Sequence, residues 1–301
     1  MALEYMAPWL TNLTLFCLPS TAPDSAEKIK RTEEIIRQLI EITIEEAEMY
    51  PSLQSKVWYT IANVDEAVDL VLESFIKCAL QHQLGSRQAE VMADTAVTLA
   101  SGNVRVAGKI ISRLRRAIAQ SAVQPCMIMQ KKKKKKGFYF LSNTAFAVAS
   151  LNQHAKWQEI CVLLRFALML SFNNRLNVQQ YLPELFYVIS MVVATGPLLI
   201  RASVHGIVVN LVQSLCTSMQ LSDESIRSLT VMISQFSEPK YKLLFGISRG
   251  GIATNAFSTQ DANEDINEKL PLSSLETIIS SLLDVIGFAA TPETASTWIA
   301  R

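Results

Sequence analysis

The sequence lacks the short motifs that mark the commonest catalytic and nucleotide-binding sites. There is no glycine-rich loop of the GxGxxG or GxxxxGK[ST] kind, no HExxH and no GxSxG nucleophile turn. Its three histidines, His82, His154 and His205, are scattered, and each reads as a surface or satisfied core residue rather than a base or ligand. Gly246, Gly250 and Gly251 form a loose trio without a phosphate-binding context, and Glu45, Glu46 and Glu48 make an acidic helix end, not an acid/base pair. No residue is therefore assigned a catalytic, cofactor-binding or metal-ligating role, and no cofactor is expected. Asn12-Leu13-Thr14 matches a glycosylation sequon but falls on an expected helix.

Cysteine is scarce as well. The five, at 17, 78, 126, 161 and 216, are odd in number and never closer than 35 residues, so neither a CxxC nor a zinc spacing exists. They read as reduced thiols packed as small hydrophobes, which fits a cytoplasmic protein. Glu4 and Pro8 stand where a secretion signal would need a basic head and an apolar run. The candidate for a membrane span, 185–200, is sixteen residues without Asp, Glu, Lys or Arg, but it contains Gly196-Pro197 and falls short of the ~20 needed, so it reads as a buried core helix and no direct membrane span is expected. The net charge is +1, but six of the 28 basic residues are the lysines of 131–136. Without that run the other 22 are outnumbered by 27 acidic residues, so no nucleic-acid partner is expected.

Ten glycines and ten prolines are few for 301 residues and sit mostly between apolar stretches, which favours long helices over many short strands. Trp157, Ile160, Cys161, Leu164, Ala167 and Leu168 recur at helical spacing, and Phe172-Asn173-Asn174 ends that helix. With Asn177 as N-cap, Leu182, Leu185, Phe186, Ile189, Val192 and Val193 form the next stripe, which Gly196-Pro197 stops. Pro197 opens a third helix, striped by Val204, Val208, Leu211, Val212 and Leu215.

The flanking chain repeats the pattern. A first helix over 3–16, starting or bending at Pro8, would face Met6, Trp9, Leu10 and Leu13 inward. A charged helix capped by Asp24 or Ser25 buries Ile29, Ile36, Leu39, Ile40 and Thr43, and a short one buries Leu53, Val57 and Ile61. Asn63 to Glu66 would cap a helix striped by Val68, Val71, Leu72, Phe75, Ile76, Ala79 and Leu80, closed by Gly85. Next come a small-residue face (Ala89, Met92, Ala93, Ala96, Leu99) and, capped by Asn103, a helix burying Val106, Ile110, Leu114 and Ala117. Arg113, Arg115 and Arg116 are read as a solvated basic face on its last turns. Further on, Ser222 caps a helix stapled by Leu221 and Ile226, with Leu229, Ile233 and Phe236 inward. A last helix carries Leu275, Ile278, Ile279, Leu282 and Ile286 and precedes a tail bearing Trp298.

One stretch, 126–153, fits nothing around it, with six lysines followed by Phe138-Tyr139-Phe140. It reads either as a basic, membrane-attracted insert, which would make the chain a membrane-peripheral adaptor, or as non-native sequence. Helix pairs taken to begin at 65, 103, 178 and 222 are 38, 75 and 44 residues apart, and removing those 28 residues turns 75 into 47. All intervals then approach the ~40 to 47 residues of HEAT and armadillo repeats, which favours an insertion.

The segments LEYMAPWL (3–10), AEVMADTAVTLASGNV (89–104), LMLSFNN (168–174), VATGPLLIRAS (193–203), HGIVVNLVQSLCTS (205–218), LLFGIS (243–248) and SLETI (274–278) closely resemble the neurofibromin family, in order and over nearly the whole chain. The resemblance breaks at 126–153, where the family has only a short loop before the helix bearing Trp157. It implies a large cytoplasmic negative regulator of Ras that accelerates GTP hydrolysis with an arginine finger. In the family that activity, like the lipid-exchange and pleckstrin-like module, lies upstream of the matched region, and none of Arg165, Arg201 or Arg249 matches the finger's motif. The matched region resembles the start of the C-terminal helical-repeat half, which builds a dimer framework. The expectation is an all-α, armadillo/HEAT-like α-solenoid of antiparallel helix pairs. Helical repeats would span 1–125 and 154–301, with 126–153 a non-native or disordered insertion carrying the polylysine, and a mobile loop at about 246–270. Expected partners are other parts of the same protein and a second copy, with Ras reached only through a catalytic domain absent from this chain.

Overall fold

A computed structural model describes residues 2–17, 25–46, 53–123, 151–172, 178–193, 195–238, 242–247 and 272–299. The polylysine run with its aromatic neighbours, the Asn177 cap and the expected loop beyond Ile247 all lie outside the described residues. Among the described residues every regular element is helical, and the chain is an all-α helical-repeat protein divided into two compact units, Met1–Ile110 and Ile111–Arg301.

The first unit opens with α1 (Ala2–Leu10), a 3₁₀ turn (Thr11–Leu13) and α2 (Thr14–Cys17). Leu13 and Ala7 are buried, but Met6 and Trp9 are more than half exposed, contrary to the expected stripe. Ala7 is the buried position of α1, and at about 100° per residue Met6 and Trp9 lie roughly 100° and 160° round the helix from it, toward solvent. α3 (Ser25–Glu46) buries Thr32, Ile36, Leu39, Ile40 and Thr43, and neutralises its outer face with Arg31–Glu27, Arg37–Glu34 and Arg37–Glu41 pairs. A π-helical turn (Leu53–Trp58) runs into α4 (Tyr59–Ala62), and α5 (Asp65–Gln81) and α6 (Arg87–Gly102) follow.

Asn63 does not cap α5. Val64 holds that position, and the Asn63 amide donates instead to the Tyr59 carbonyl, closing α4 behind it. Leu80, expected inward, is exposed at the fraying end of α5. Gly85 takes a left-handed φ of 78°, and Ser86 Oγ accepts from the Ala89 amide to start α6. The small face of α6 allows close contact: a Cβ on Gly102 would lie 2.7 Å from the Ala62 Cβ.

The second unit takes α7 (Arg105–Val123) from Ile111 onward, then α8 (Trp157–Ser171), α9 (Val178–Val192), α10 (Leu198–Ser218), α11 (Asp223–Ser237), a 3₁₀ turn (Leu243–Phe245), α12 (Leu272–Ala289) and α13 (Pro292–Ile299). α10 is its central helix, packed on α8, α9 and α11. α10 and α12 are long and apolar enough to cross a membrane, whereas the stretch 185–200 is broken at Gly196, whose φ is 88°. α10 already buries its apolar surface against three neighbours, as a core helix does. α13 replaces the expected tail. Pro at its first position and Thr291 before it are its sequence signals.

Polar pairs set the register of the repeats. Within the first unit Gln54 bonds Thr95, Asn103 bonds the Ala62 carbonyl, Arg105 pairs with Asp65 and Lys109 with Asp69, at separations of 41, 41, 40 and 40 residues. Within the second, Arg165 donates to Ser203 and Asn210 to Ser171, 38 and 39 residues apart. A near-constant offset along parallel helices is what stacking of two-helix units of about 40 residues requires.

α7 and α8 instead run antiparallel, with Arg113 on Glu159 and Ser121 Oγ 3.2 Å from His154 Nδ1. The chain therefore leaves and re-enters this hairpin at neighbouring points, and a helix–helix connection needs only about 2–8 residues. Replacing 124–150 with a four-residue Gly/Ser loop is expected to leave the urea midpoint and the m-value of unfolding unchanged. A lower midpoint would show that the segment supports the fold.

Candidate functional site

Arginines 113, 115 and 116 do not sit at the end of α7, which runs on to Val123, and they do not act together. Arg115 and Arg116 are exposed. Arg113 Nε lies 2.6 Å from Glu159 Oε1, and Lys156 Nζ lies 2.8 Å from the other oxygen of the same carboxylate. Burial pushes the Glu159 carboxyl up, but hydrogen bonds from Lys156 and Arg113 and their charges outweigh it and hold it below the usual range. The cluster is closed by its own partners, which makes it a clamp between α7 and α8.

The histidines stay apart. His82 is exposed, and His154 Nδ1 accepts from the Lys156 amide at 3.0 Å at the start of α8. His205, on α10, donates from Nε2 to the Phe236 carbonyl at 2.9 Å, and its ring meets Phe245 edge-on at 4.9 Å. Burial pushes its pKa down, the bond to Phe236 opposes this, and Lys242 adds to the lowering. The unfolded chain thus binds a proton that the folded unit resists. The stability due to neutral His205 is complete above the ordinary value of about 6.5 and is lost as pH falls toward the lower folded value. Glu159, also depressed, adds loss only as pH falls through the ordinary glutamate range near 4.3. Urea melts between pH 7.5 and 5.5 are expected to show stability falling in the wild type, with that slope absent in His205→Phe, whose ring keeps the Phe245 contact. An unchanged slope in the variant would contradict this assignment.

Arg201 is 1 % exposed, and its Nε donates to the Gly196 carbonyl at 3.3 Å across the first turn of α10. Arg165 is committed to Ser203, and Arg249 lies outside the described residues. Cys161 is buried, and Cys17, Cys78 and Cys216 are half-buried with thiols pushed up chiefly by burial, which keeps them protonated and poorly nucleophilic. Gly246, the one described member of the glycine trio, has φ 65° and ends the 3₁₀ turn. Glu45 and Glu46 end α3, Glu48 lies outside the described residues, and Asn12 to Thr14 form the 3₁₀ turn and the start of α2. Among the described residues no three His, Cys, Asp or Glu side chains converge as a metal site would need.

One polar recess is formed where α13 lies on α9. It measures about 440 Å³ and is lined by Gln179, Gln180, Thr291, Glu293, Thr294, Thr297 and Trp298. Trp298 Nε1 donates to the Gln179 carbonyl at 3.0 Å. With two amides, three hydroxyls and one carboxylate, this recess can accept and donate hydrogen bonds, but it holds no paired nucleophile and base. It went unread in the sequence because its two walls are more than 100 residues apart.

No family model matches the chain. It is 22% identical over 294 residues to Inhibitory regulator protein IRA2 of Saccharomyces cerevisiae, which covers 97% of this chain and 8% of that protein. It is 21% identical over 267 residues to Inhibitory regulator protein IRA1 of the same yeast, covering 87% and 8%. The chain is similar to inhibitory regulators. It spans about 8% of their length, and the similarity runs through the helices of both units instead of resting on one short motif.

Proposed function

We propose that this chain is a non-catalytic helical-repeat segment of a neurofibromin-like, cytoplasmic negative regulator of Ras signalling, serving as scaffold and dimer surface for a GTPase-activating domain carried elsewhere in the longer protein. The observation that carries this reading is the similarity to two inhibitory regulators along 97% and 87% of the chain at 8% of their length. A match so extended and so small a share of the relatives is what a repeat segment gives. Support comes from the chemistry of its arginines. A finger must be free to reach a bound nucleotide, whereas, of the arginines weighed for that role, Arg201 is buried and Arg165 is bonded to a neighbouring helix. Repeats of about 40 residues bury a continuous core and leave long faces free for other parts of the assembly.

Purified chain added in excess to GTP-loaded Ras should leave hydrolysis at the intrinsic rate. Acceleration of even about tenfold, against the ~10⁵ that a full activator supplies, would overturn the non-catalytic assignment. In the longer protein, deleting this segment should lower the dimer fraction in sedimentation while each remaining catalytic domain keeps its activity.

A further inference from the structure

We propose that Thr291 is a phosphorylation site for a proline-directed serine/threonine kinase, and that the phosphate releases α13 from α9. Thr291-Pro292 is the single Ser/Thr-Pro pair in the sequence. It falls at the non-helical joint between α12 and α13, where Ala290, Pro292 and Glu293 are exposed and Thr291 is half-buried. Proline at 292 biases Thr291 to extended backbone, the form in which a kinase cleft reads its substrate. In the transfer, Thr291 Oγ1 bonds to the γ-phosphorus of ATP as the bond to the bridging oxygen breaks. ADP leaves, and the hydroxyl proton passes to the kinase's catalytic carboxylate.

The consequence follows from what that hydroxyl does now. Thr291 Oγ1 accepts from the Thr294 amide at 3.3 Å and lies 3.2 Å from Thr294 Oγ1, while the Thr291 amide donates to Thr294 Oγ1 at 2.8 Å. The Glu293 carboxyl is held low first by its own backbone amide and then by the Thr291 side chain. An esterified oxygen has no proton to give, and its dianion would stand beside Glu293 in a recess whose walls contain no lysine or arginine. The positive end of an eight-residue helix attracts the phosphate, but it offers no counter-cation for two added charges next to a carboxylate. α13 buries no residue fully and leans on α9 through the Trp298 to Gln179 bond, so little holds it against release.

The whole chain, incubated with ATP and a recombinant proline-directed kinase, should gain one phosphate, mapped by mass spectrometry to Thr291. Thr291→Val and Pro292→Ala, which keeps the hydroxyl and removes the proline, should both lose it. Amides of 293–299 in the phosphorylated chain should exchange roughly tenfold faster, with α10 unchanged. No phosphate on Thr291, or equal labelling of Pro292→Ala, would overturn the site. Unchanged exchange over 293–299 would overturn the release.

Discussion

Gly196→Ala is expected to destabilise the second unit by about 2–5 kcal/mol and to lower its melting temperature by roughly 5–15 °C. Two costs combine. The φ of 88° lies in the left-handed region, where any residue with a Cβ is strained. The new Cβ would also stand 2.5 Å from Trp157 Cζ2 and 3.0 Å from Cη2. Trp157 is buried at the start of α8, and a rigid indole cannot bend aside as an aliphatic chain can. Nor can the backbone yield easily, because the Gly196 carbonyl accepts from the Arg201 guanidinium and Pro197 follows as the N-cap of α10. Gly206→Ala is the control. There the nearest atom is Leu168 Cδ1 at 2.8 Å, the free end of a flexible side chain, and alanine gains about 1 kcal/mol of helix propensity over glycine. Thermal melts followed by circular dichroism should separate the two variants widely. Trp157→Leu should recover part of the loss in the Gly196→Ala background, and a neutral Gly196→Ala would refute the packing described.

The corner at Gly196 also shows what could be read from sequence. Gly-Pro between two apolar stripes announced a stop and a start, and both are found. The stripes themselves were legible because helix burial is periodic: Ile160, Leu164 and Leu168 on α8, or Val204, Val208 and Leu211 on α10, are buried as spaced. Errors fell where the period changes or where a partner is distant in sequence. On α1 the small Ala7 takes the buried position, which leaves the larger Met6 and Trp9 outward. Arg113 looked like part of a solvated face because its partner, Glu159, is 46 residues away. Trp298 looked like a tail residue because the helix it anchors to, α9, begins 120 residues earlier. The recess between α9 and α13 was illegible for the same reason, whereas the capping signal at Thr291-Pro292 was present and local.

Trp58→Ala should cost the first unit about 3–5 kcal/mol, a large share of the ~5–15 kcal/mol typical of a domain. Leu53, Val57 and Ile61 were expected inward from α-helical spacing, and all three are buried. Trp58 was not expected there, since it follows Val57 directly. The π-helical turn over Leu53–Trp58 explains it: one extra residue per turn widens the inward arc, so two consecutive side chains, Val57 and Trp58, enter the core together. The indole is fully buried, meets Phe75 of α5 edge-on at 4.8 Å and donates from Nε1 to Thr43 Oγ1 of α3 at 2.9 Å. Thr43 passes its own proton to the Leu39 carbonyl at 2.7 Å, so the hydroxyl is used in both directions. Alanine at 58 therefore leaves a cavity between α3 and α5 but no orphaned polar group, because Thr43 keeps its donor bond. Thr43→Val does the reverse. It keeps the volume and strands the buried indole N–H, at about 1–3 kcal/mol. Trp58→Phe loses both that hydrogen bond and part of the ring, and should fall between the two. Urea unfolding should rank them Trp58→Ala, Trp58→Phe, Thr43→Val in decreasing cost. A Thr43→Val loss equal to that of Trp58→Ala would mean that the hydrogen bond, not the packed ring, holds α3 against α5.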